Sequence, residues 1–365
     1  KYYFCSFNIM NYSKFYSNDK YYDFKDVLIL PCKSNINSRN LVNLNITKNF
    51  NNNQTYNGIP IMASNMTTTG TFEVYNVLHE HNMITVFNKF YKLNDFLNFK
   101  KKFNIDLNPE LFMISTGISD NDYNNLVEIL DNFNCKYICI DIANGYINNF
   151  YEFCKKIRIK YSNKIICAGN VCTIDGVKNL IDIGIDIIKI GIGSGAACTT
   201  RIKTGIGMPQ LSCILECSEY AKKYSVNNKK FYILSDGGIT CPGDVAKAFV
   251  AGADFVMIGG AFAGHDENPG DILEINNEKY KIFYGMSSEH AIKNHYDNNN
   301  TLNYRSSEGR YLKIKYKGKL INTINDYLGG LRSTCTYTNS SDLNNLYKNG
   351  KFILVNNQYN DSLIK

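Results

Sequence analysis

Eight short apolar runs, separated by longer segments of helical character, constrain this sequence more than any single motif in it. The runs are Ile59–Met62, Met83–Phe87, Phe112–Ser115, Tyr137–Asp141, Lys164–Ala168, Ile187–Ile190, Phe231–Ser235 and Phe255–Ile258. Each is apolar through its length, as parallel strands covered on both faces are, whereas half-exposed strands alternate. Between them lie helical segments such as Asp122–Asn132, Asn148–Tyr161, Pro209–Tyr224 and Pro242–Ala251. Pro209 and Pro242 stand where a first helical turn tolerates a missing N–H. Eight β/α units in 365 residues predict an α/β protein, a (β/α)₈ TIM barrel rather than an open doubly wound sheet. A chain that is 44% hydrophobic can bury a core of that size.

A barrel of this kind places reactive groups just beyond the C-terminal ends of its strands, with phosphate held after strands seven and eight. Strand six runs into Gly191-Ile-Gly-Ser-Gly-Ala-Ala-Cys198, strand seven into Ser235-Asp-Gly-Gly238 and strand eight into Gly259-Gly260, while strand four ends in Asp141-Ile-Ala-Asn-Gly145. Three glycines at alternate positions allow backbone turns closed to other residues and let a ligand approach closely. The loop therefore presents Cys198, whose thiolate would be a strong nucleophile. A cysteine in a Gly-rich turn is by itself more often inert than catalytic, so its neighbours decide. No G-x-G-x-x-G with a ribose-binding acid beyond it follows the first strand, so a Rossmann site is excluded.

The expectation is one barrel domain over residues 1–365, with an N-terminal extension over about 1–55. The roughly 100 residues after Gly264 exceed what a last barrel helix needs. They are expected to hold a long active-site flap insertion after strand eight, over about 264–319, then a final helix near Leu320–Leu331. A net charge of +7 suits an anionic small molecule, but the basic residues do not cluster as in a nucleic-acid reader. Asn49–Asn53 and Asn298–Asn300 read as solvated loops. The 12 cysteines form no C-x-x-C pair, and several, such as Cys139 and Cys167, sit inside strand-like runs as small hydrophobes. That points to a reducing, cytoplasmic setting. No run approaches the ~20 apolar residues that span a bilayer, so neither a membrane nor a nucleic acid is an expected partner.

Gly191-Ile-Gly-Ser-Gly-Ala-Ala-Cys-Thr-Thr-Arg-Ile-Lys-Thr-Gly205, Ser235-Asp-Gly-Gly238, Phe283-Tyr-Gly-Met-Ser-Ser-Glu289 and Tyr304-Arg-Ser-Ser-Glu-Gly309 carry a family resemblance. In order and placement they resemble the IMP dehydrogenase/GMP reductase family of purine-nucleotide oxidoreductases, and its GMP-reducing branch in particular. The likeness runs from Tyr22 to Tyr337. It implies NADPH-dependent reductive deamination of GMP to IMP, with release of ammonia, through a covalent thioimidate on Cys198. Thr200 and Glu308 match the family's proton-handling pair. The nucleotide would be held by Asp236 at the ribose, by Gly237, Gly238, Gly259 and Gly260 at the phosphate, and by Gly285, Met286, Ser287, Arg305, Ser306, Ser307 and Gly309 around the base. NADPH would be held by Ser38, Arg39, Lys89, Asp141, Ile142, Ala143, Ser333, Thr334, Cys335 and Thr336. Carbonyls at Gly193, Gly195 and Cys198, with Arg201 adjacent, match a monovalent-cation site suited to K⁺. The resemblance also implies a homotetramer.

Some positions depart from the family pattern. Ala196 stands where a phosphate-binding serine is usual, and one charge-assisted contact of that kind is worth about 1.5–3 kcal/mol. Ser194 replaces a proline, Thr67 an aspartate, and Asn88 and Phe90 two histidines, whereas Lys89 is kept. The chemistry is thus expected intact and the affinities reduced. The competing expectations are IMP dehydrogenase-type oxidation of IMP, and a catalytically silent nucleotide-binding regulatory relative. Only a short segment separates the second and third runs, too little for the regulatory domain pair usual in the dehydrogenases. Lys203-Thr-Gly205 and Tyr284-Gly-Met-Ser-Ser288 also fit the reductases better.

Overall fold

The structure, a computed structural model, describes residues 20–104, 106–225, 229–286, 288 and 307–356. Eight parallel strands close into a barrel in which each chain neighbour is a spatial neighbour and the last strand pairs with the first. They are β1 (Ile61–Ala63), β2 (Ile84–Phe87), β3 (Phe112–Thr116), β4 (Tyr137–Asp141), β5 (Ile165–Val171), β6 (Ile187–Ile190), β7 (Tyr232–Asp236) and β8 (Phe255–Ile258). Apart from the strand ends that reach the mouth, these residues are buried throughout, as strands covered on both faces must be.

Helices follow the strands and cover them: α1 (Phe72–Leu78), α2 (Leu93–Phe103), α3 (Asp120–Asn132), α4 (Asn148–Lys160), α5 (Ile174–Ile183), α6 (Gln210–Tyr224), α7 (Pro242–Ala251) and α8 (Leu320–Tyr337). Helix α3 starts two residues before the expected Asp122 because the Ser119 hydroxyl caps it, accepting from the Asp122 N–H. Helix α8 runs six residues past the expected Leu331, through Gly329-Gly330. A Cβ at Gly330 would lie 2.6 Å from the Pro242 side chain, so this glycine serves close helix packing rather than ending the helix. Strand β1 begins after Pro60, which has no N–H for the ladder, and β5 runs on past Ala168 through an irregular register between Gly169 and Val171.

Before the barrel, an antiparallel hairpin (Ile46–Asn49 with Thr55–Gly58) closes its N-terminal end. Phe50 packs edge-on against Tyr232 at 5.1 Å and Tyr56 against Phe255 at 5.3 Å, both at strand starts. Lys48 pairs with Asp254 at 2.6 Å beside the same ends. With that end plugged, ligands have access from the C-terminal end. Between β8 and α8 the chain forms a three-stranded antiparallel sheet, Leu273–Ile275, Glu278–Tyr284 and Tyr311–Lys315. Its first hairpin turns on Asn276 and Asn277, at φ 53° and 62°, the left-handed pair that suits a tight hairpin. No helix among the described residues is long and apolar enough to cross a membrane.

Candidate active site

A cavity of about 370 Å³ opens at the C-terminal ends of the strands. Its floor and walls come from Ser64 and Asn65 after β1, Lys89 after β2, Asp141–Ala143 at the end of β4, Asn170 on β5, Gly191–Cys198 after β6, Asp236–Ile239 at the end of β7 and Gly259-Gly260 after β8. Gly285, Met286, Glu308 and Gly309, from the segment between β8 and α8, complete it. A pocket of this size suits a small organic ligand.

The loop after β6 is held from two sides. Gly191 sits at φ 135°, and a Cβ there would lie 2.1 Å from the Asp236 carbonyl oxygen, so the ends of β6 and β7 approach more closely than a side chain allows. Gly191→Ala is expected to destabilise the protein by about 1–3 kcal/mol, read as a lowered urea midpoint; an unchanged midpoint would remove the close approach as a constraint. Ser194 donates its hydroxyl to the same Asp236 carbonyl at 3.0 Å, a tether that a proline could not supply. The second support is the segment around Gly309, which bridges Cys198 in antiparallel fashion. Thr199 N–H donates to the Glu308 carbonyl at 2.8 Å and Arg310 N–H to the Ala197 carbonyl at 2.9 Å. The Arg310 guanidinium forks onto the Ala196 carbonyl at 2.9 and 2.7 Å. No sequence signal marked Arg310.

This bridge brings the expected catalytic trio together. The Cys198 thiol donates to Thr200 Oγ1 at 3.1 Å, and the Thr200 hydroxyl donates to Glu308 Oε2 at 2.7 Å. Cys198 is partly exposed on the cavity, so a ligand there could reach its sulfur. Thiol, hydroxyl and carboxylate thus form one continuous hydrogen-bonded chain along which a proton could pass.

At the bottom of the cavity lies a buried charge cluster. Lys189 on β6 is 2% exposed and places its ammonium 2.8 Å from Asp141 Oδ1, 2.6 Å from Asp236 Oδ2 and 2.8 Å from Asn170 Oδ1. Asn170 donates to Asp236 Oδ2 at 2.8 Å, and Asn65 to Asp141 Oδ2 at 2.7 Å. Burial disfavours the Lys189 ammonium, but the two carboxylates prevail and hold its pKa well above the ordinary lysine value. Burial likewise works against the Asp141 carboxylate, and Lys189 prevails to hold that carboxyl below its usual range. Sequence reasoning missed Lys189, Asn170 and Asn65. The available signal was Lys189 itself, a cation inside the apolar run Ile187–Ile190.

Of the expected nucleotide-binding residues, Asp236, Gly237, Gly238, Gly259, Gly260, Gly285, Met286 and Gly309 line the cavity. Ser307 does not, and its hydroxyl donates to the Gly309 carbonyl at 3.1 Å. Ser287, Arg305 and Ser306 lie outside the described residues. The expected cofactor group divides. Lys89, Asp141, Ile142 and Ala143 line the cavity, whereas Ser38, Arg39, Ser333, Thr334, Cys335 and Thr336 do not. Ser333–Thr336 lie in the last turns of α8 on the outer wall, and the turn at Arg39–Leu41 packs on that helix. The Cys335 side chain is fully buried, and burial pushes its thiol up to about 12, so it offers a ligand no side-chain contact. In the expected cation site, Gly193, Gly195 and Cys198 line the cavity, and the Gly195 carbonyl already accepts from Cys198 N–H at 3.0 Å. The Arg201 guanidinium is held by Asp23 at 2.9 Å and by the Met208 carbonyl, away from the cavity. No cluster of three or more His, Cys, Asp or Glu suited to a metal occurs among the described residues.

A barrel whose strand-six loop presents a thiol on a hydroxyl–carboxylate pair, facing glycine turns after strands seven and eight, has the architecture of an enzyme with its site at the C-terminal mouth. The sequence matches the IMP dehydrogenase / GMP reductase domain over residues 21–360, and the chain belongs to that family of oxidoreductases. It is 48% identical over 343 residues to GMP reductase 1 of Mus musculus, covering 93% of this chain and 96% of that protein. It is 46% identical over 352 residues to the GMP reductase of Caenorhabditis elegans, covering 95% of each. Against GMP reductase 1 of Homo sapiens the identity is 48% over 343 residues, covering 93% and 96%.

Proposed function

We propose that this protein catalyses the NADPH-dependent reductive deamination of GMP to IMP, releasing ammonia. The observation that carries this is the contact chain Cys198–Thr200–Glu308, at 3.1 and 2.7 Å, on a cavity walled by Asp236-Gly-Gly238 and Gly259-Gly260. The Cys198 thiol passes its proton through Thr200 towards Glu308 and adds to C2 of the purine. Glu308 and Thr200 return protons to the C2 amine, which leaves as ammonia, and a thioimidate remains on Cys198. NADPH, when bound, supplies the hydride that C2 needs. The thiolate then departs to give IMP. Asp236 would hold the ribose hydroxyls, since a carboxylate repels phosphate, and the glycine turns offer backbone N–H groups to the phosphate.

The residues on the cavity fit a dinucleotide cofactor in part: Lys89, Asp141, Ile142 and Ala143 share it with Cys198. The group on the outer wall would meet a cofactor only across a subunit boundary, which accords with a homotetramer. Gly193, Gly195 and Cys198 would offer carbonyl oxygens, each with a lone pair to give, to a K⁺ ion. The stretch at about 264–319 would act as a flap that carries Glu308 to the thiol, as part of a single barrel domain over residues 1–365 with an N-terminal extension over about 1–55. A cytoplasmic setting accords with the described cysteines, all free thiols.

The test is loss of NADPH absorbance on adding GMP to purified protein, with IMP and NAD⁺ supplied in parallel. Turnover with GMP is expected. Turnover of IMP and NAD⁺ instead would favour the dehydrogenase reading, and no turnover in either would favour a silent relative. Ala196 packs its Cβ against Gly260, 3.2 Å from where a Cβ would lie, at the turn assigned to phosphate. Ala196→Ser is therefore expected to lower the KM for GMP about tenfold by restoring one charge-assisted contact. An unchanged KM would move the phosphate elsewhere.

A further inference from the structure

The nucleotide and cofactor readings assign Asp236 and Asp141 to different ligands, yet both carboxylates lean on one ammonium. We propose that Lys189 is a positioning residue that sets Asp236 for the nucleotide and Asp141 for the cofactor together, so that the two ligand sites share a single buried cation. This rests on the functional reading above.

The geometry supports it in four ways. Lys189 lies on β6 between β5 and β7, and its ammonium spans from Asp141 at the end of β4 to Asp236 at the end of β7. Its backbone is pinned: a Cβ at Gly169 would lie 2.2 Å from the Lys189 carbonyl oxygen, so β5 packs on it at contact distance. Asp236 Oδ2 accepts from both Lys189 and Asn170, while Oδ1 receives no hydrogen bond among the described residues and is left to a ligand. Asp141 is gripped on both oxygens, Oδ1 by Lys189 and Oδ2 by Asn65, which fixes its plane. Two carboxylates turned towards one buried point repel each other without a cation between them. Removing the ammonium should therefore release both, while Cys198, Thr200 and Glu308, which it does not touch, keep their contacts.

Lys189→Met keeps an unbranched apolar stem as far as Cε and removes the ammonium. In steady-state kinetics the KM for GMP and the KM for NADPH are both expected to rise about tenfold or more, with kcat within about threefold of wild type. Lys189→Arg, which restores a cation, should bring both KM values back together. A purely structural lysine would lower the active fraction and hence kcat, without moving both KM values in step. A rise in one KM alone, in neither, or an arginine variant no better than methionine would overturn the proposal. Should Lys189→Met fail to fold, calorimetric titration of Asp141→Asn with GMP alone decides. The nucleotide should bind about 3- to 10-fold more weakly although Asp141 belongs to the other ligand, because the freed ammonium competes for Asp236. Unchanged GMP affinity there would overturn the shared cation. Wild-type protein that turns over GMP while the variants behave normally sinks only the Lys189 proposal. Wild-type protein that neither binds nor reduces GMP sinks the functional reading, and this proposal with it.

Discussion

Cys198→Ala is expected to lower GMP-dependent oxidation of NADPH by about 10⁴-fold or more while leaving GMP affinity within about threefold. The methyl group of alanine fills the space of Cβ and removes only the sulfur. The loop itself is held by other atoms: the Cys198 N–H to the Gly195 carbonyl, Ser194 to Asp236 and Arg310 to Ala196. The cradle should therefore survive intact. Without the thiolate, the amine at C2 would have to be displaced in one step, and the path that splits this into addition and elimination is gone. Turnover measured against GMP titrated calorimetrically separates the two effects. Retained turnover would refute the covalent path, and lost GMP binding would show that the sulfur holds the loop as well as attacking.

Glu308→Gln is expected to lower kcat about 10²- to 10⁴-fold, the range for loss of one positioned acid–base group. The substitution is nearly isosteric, and the backbone carbonyl of residue 308 would still accept from Thr199 N–H, so the bridge between Gly309 and Cys198 should remain. What disappears is the carboxylate that accepts from the Thr200 hydroxyl at 2.7 Å. An amide neither takes the thiol proton nor delivers one to the departing amine. The KM for GMP should stay within about threefold, because a change confined to proton transfer lowers kcat and kcat/KM together. An unchanged kcat would take Glu308 off the proton path, and a rise in KM alone would make it a binding residue.

Much of the fold was legible because the signal for a buried parallel strand is local. Strands β4, β6 and β8 have the bounds expected from their apolar runs. The start of α3 was missed locally, at its Ser119 cap, and the larger misses came where a residue's neighbours are remote in sequence. Gly329-Gly330 lies at the place where α8 was expected to stop, yet Gly330 is there to let Pro242 approach. Strand β5 was expected to end with its apolar run at Ala168. It continues because Asn170 finds partners at the ends of two other strands, the Gly191 carbonyl just past β6 and Asp236 on β7. The site divides in the same way. The Cys198 loop announced itself through glycine spacing and position, whereas Lys189 stood in an apolar run with nothing nearby in sequence to reveal its two carboxylates. Resemblance brought Ser333–Thr336 into the expected cofactor group, but no spacing rule showed that they stand on the outer wall.

By itself the sequence determined the eight-fold β/α repeat, and with it the end of the barrel at which Cys198, Asp236 and the paired glycines stand. Burial periodicity and loop backbone freedom are properties of consecutive residues, so they can be read along the chain. Only the tertiary structure decided which of those residues act on one another. Barrel closure set Lys189 between the ends of β4 and β7, and the bridge at Gly309 set Glu308 on Thr200, 108 residues away. Hydrogen bonds and ion pairs act over about 3 Å, and a contact at that range between distant segments exists only once the core has fixed where each strand ends.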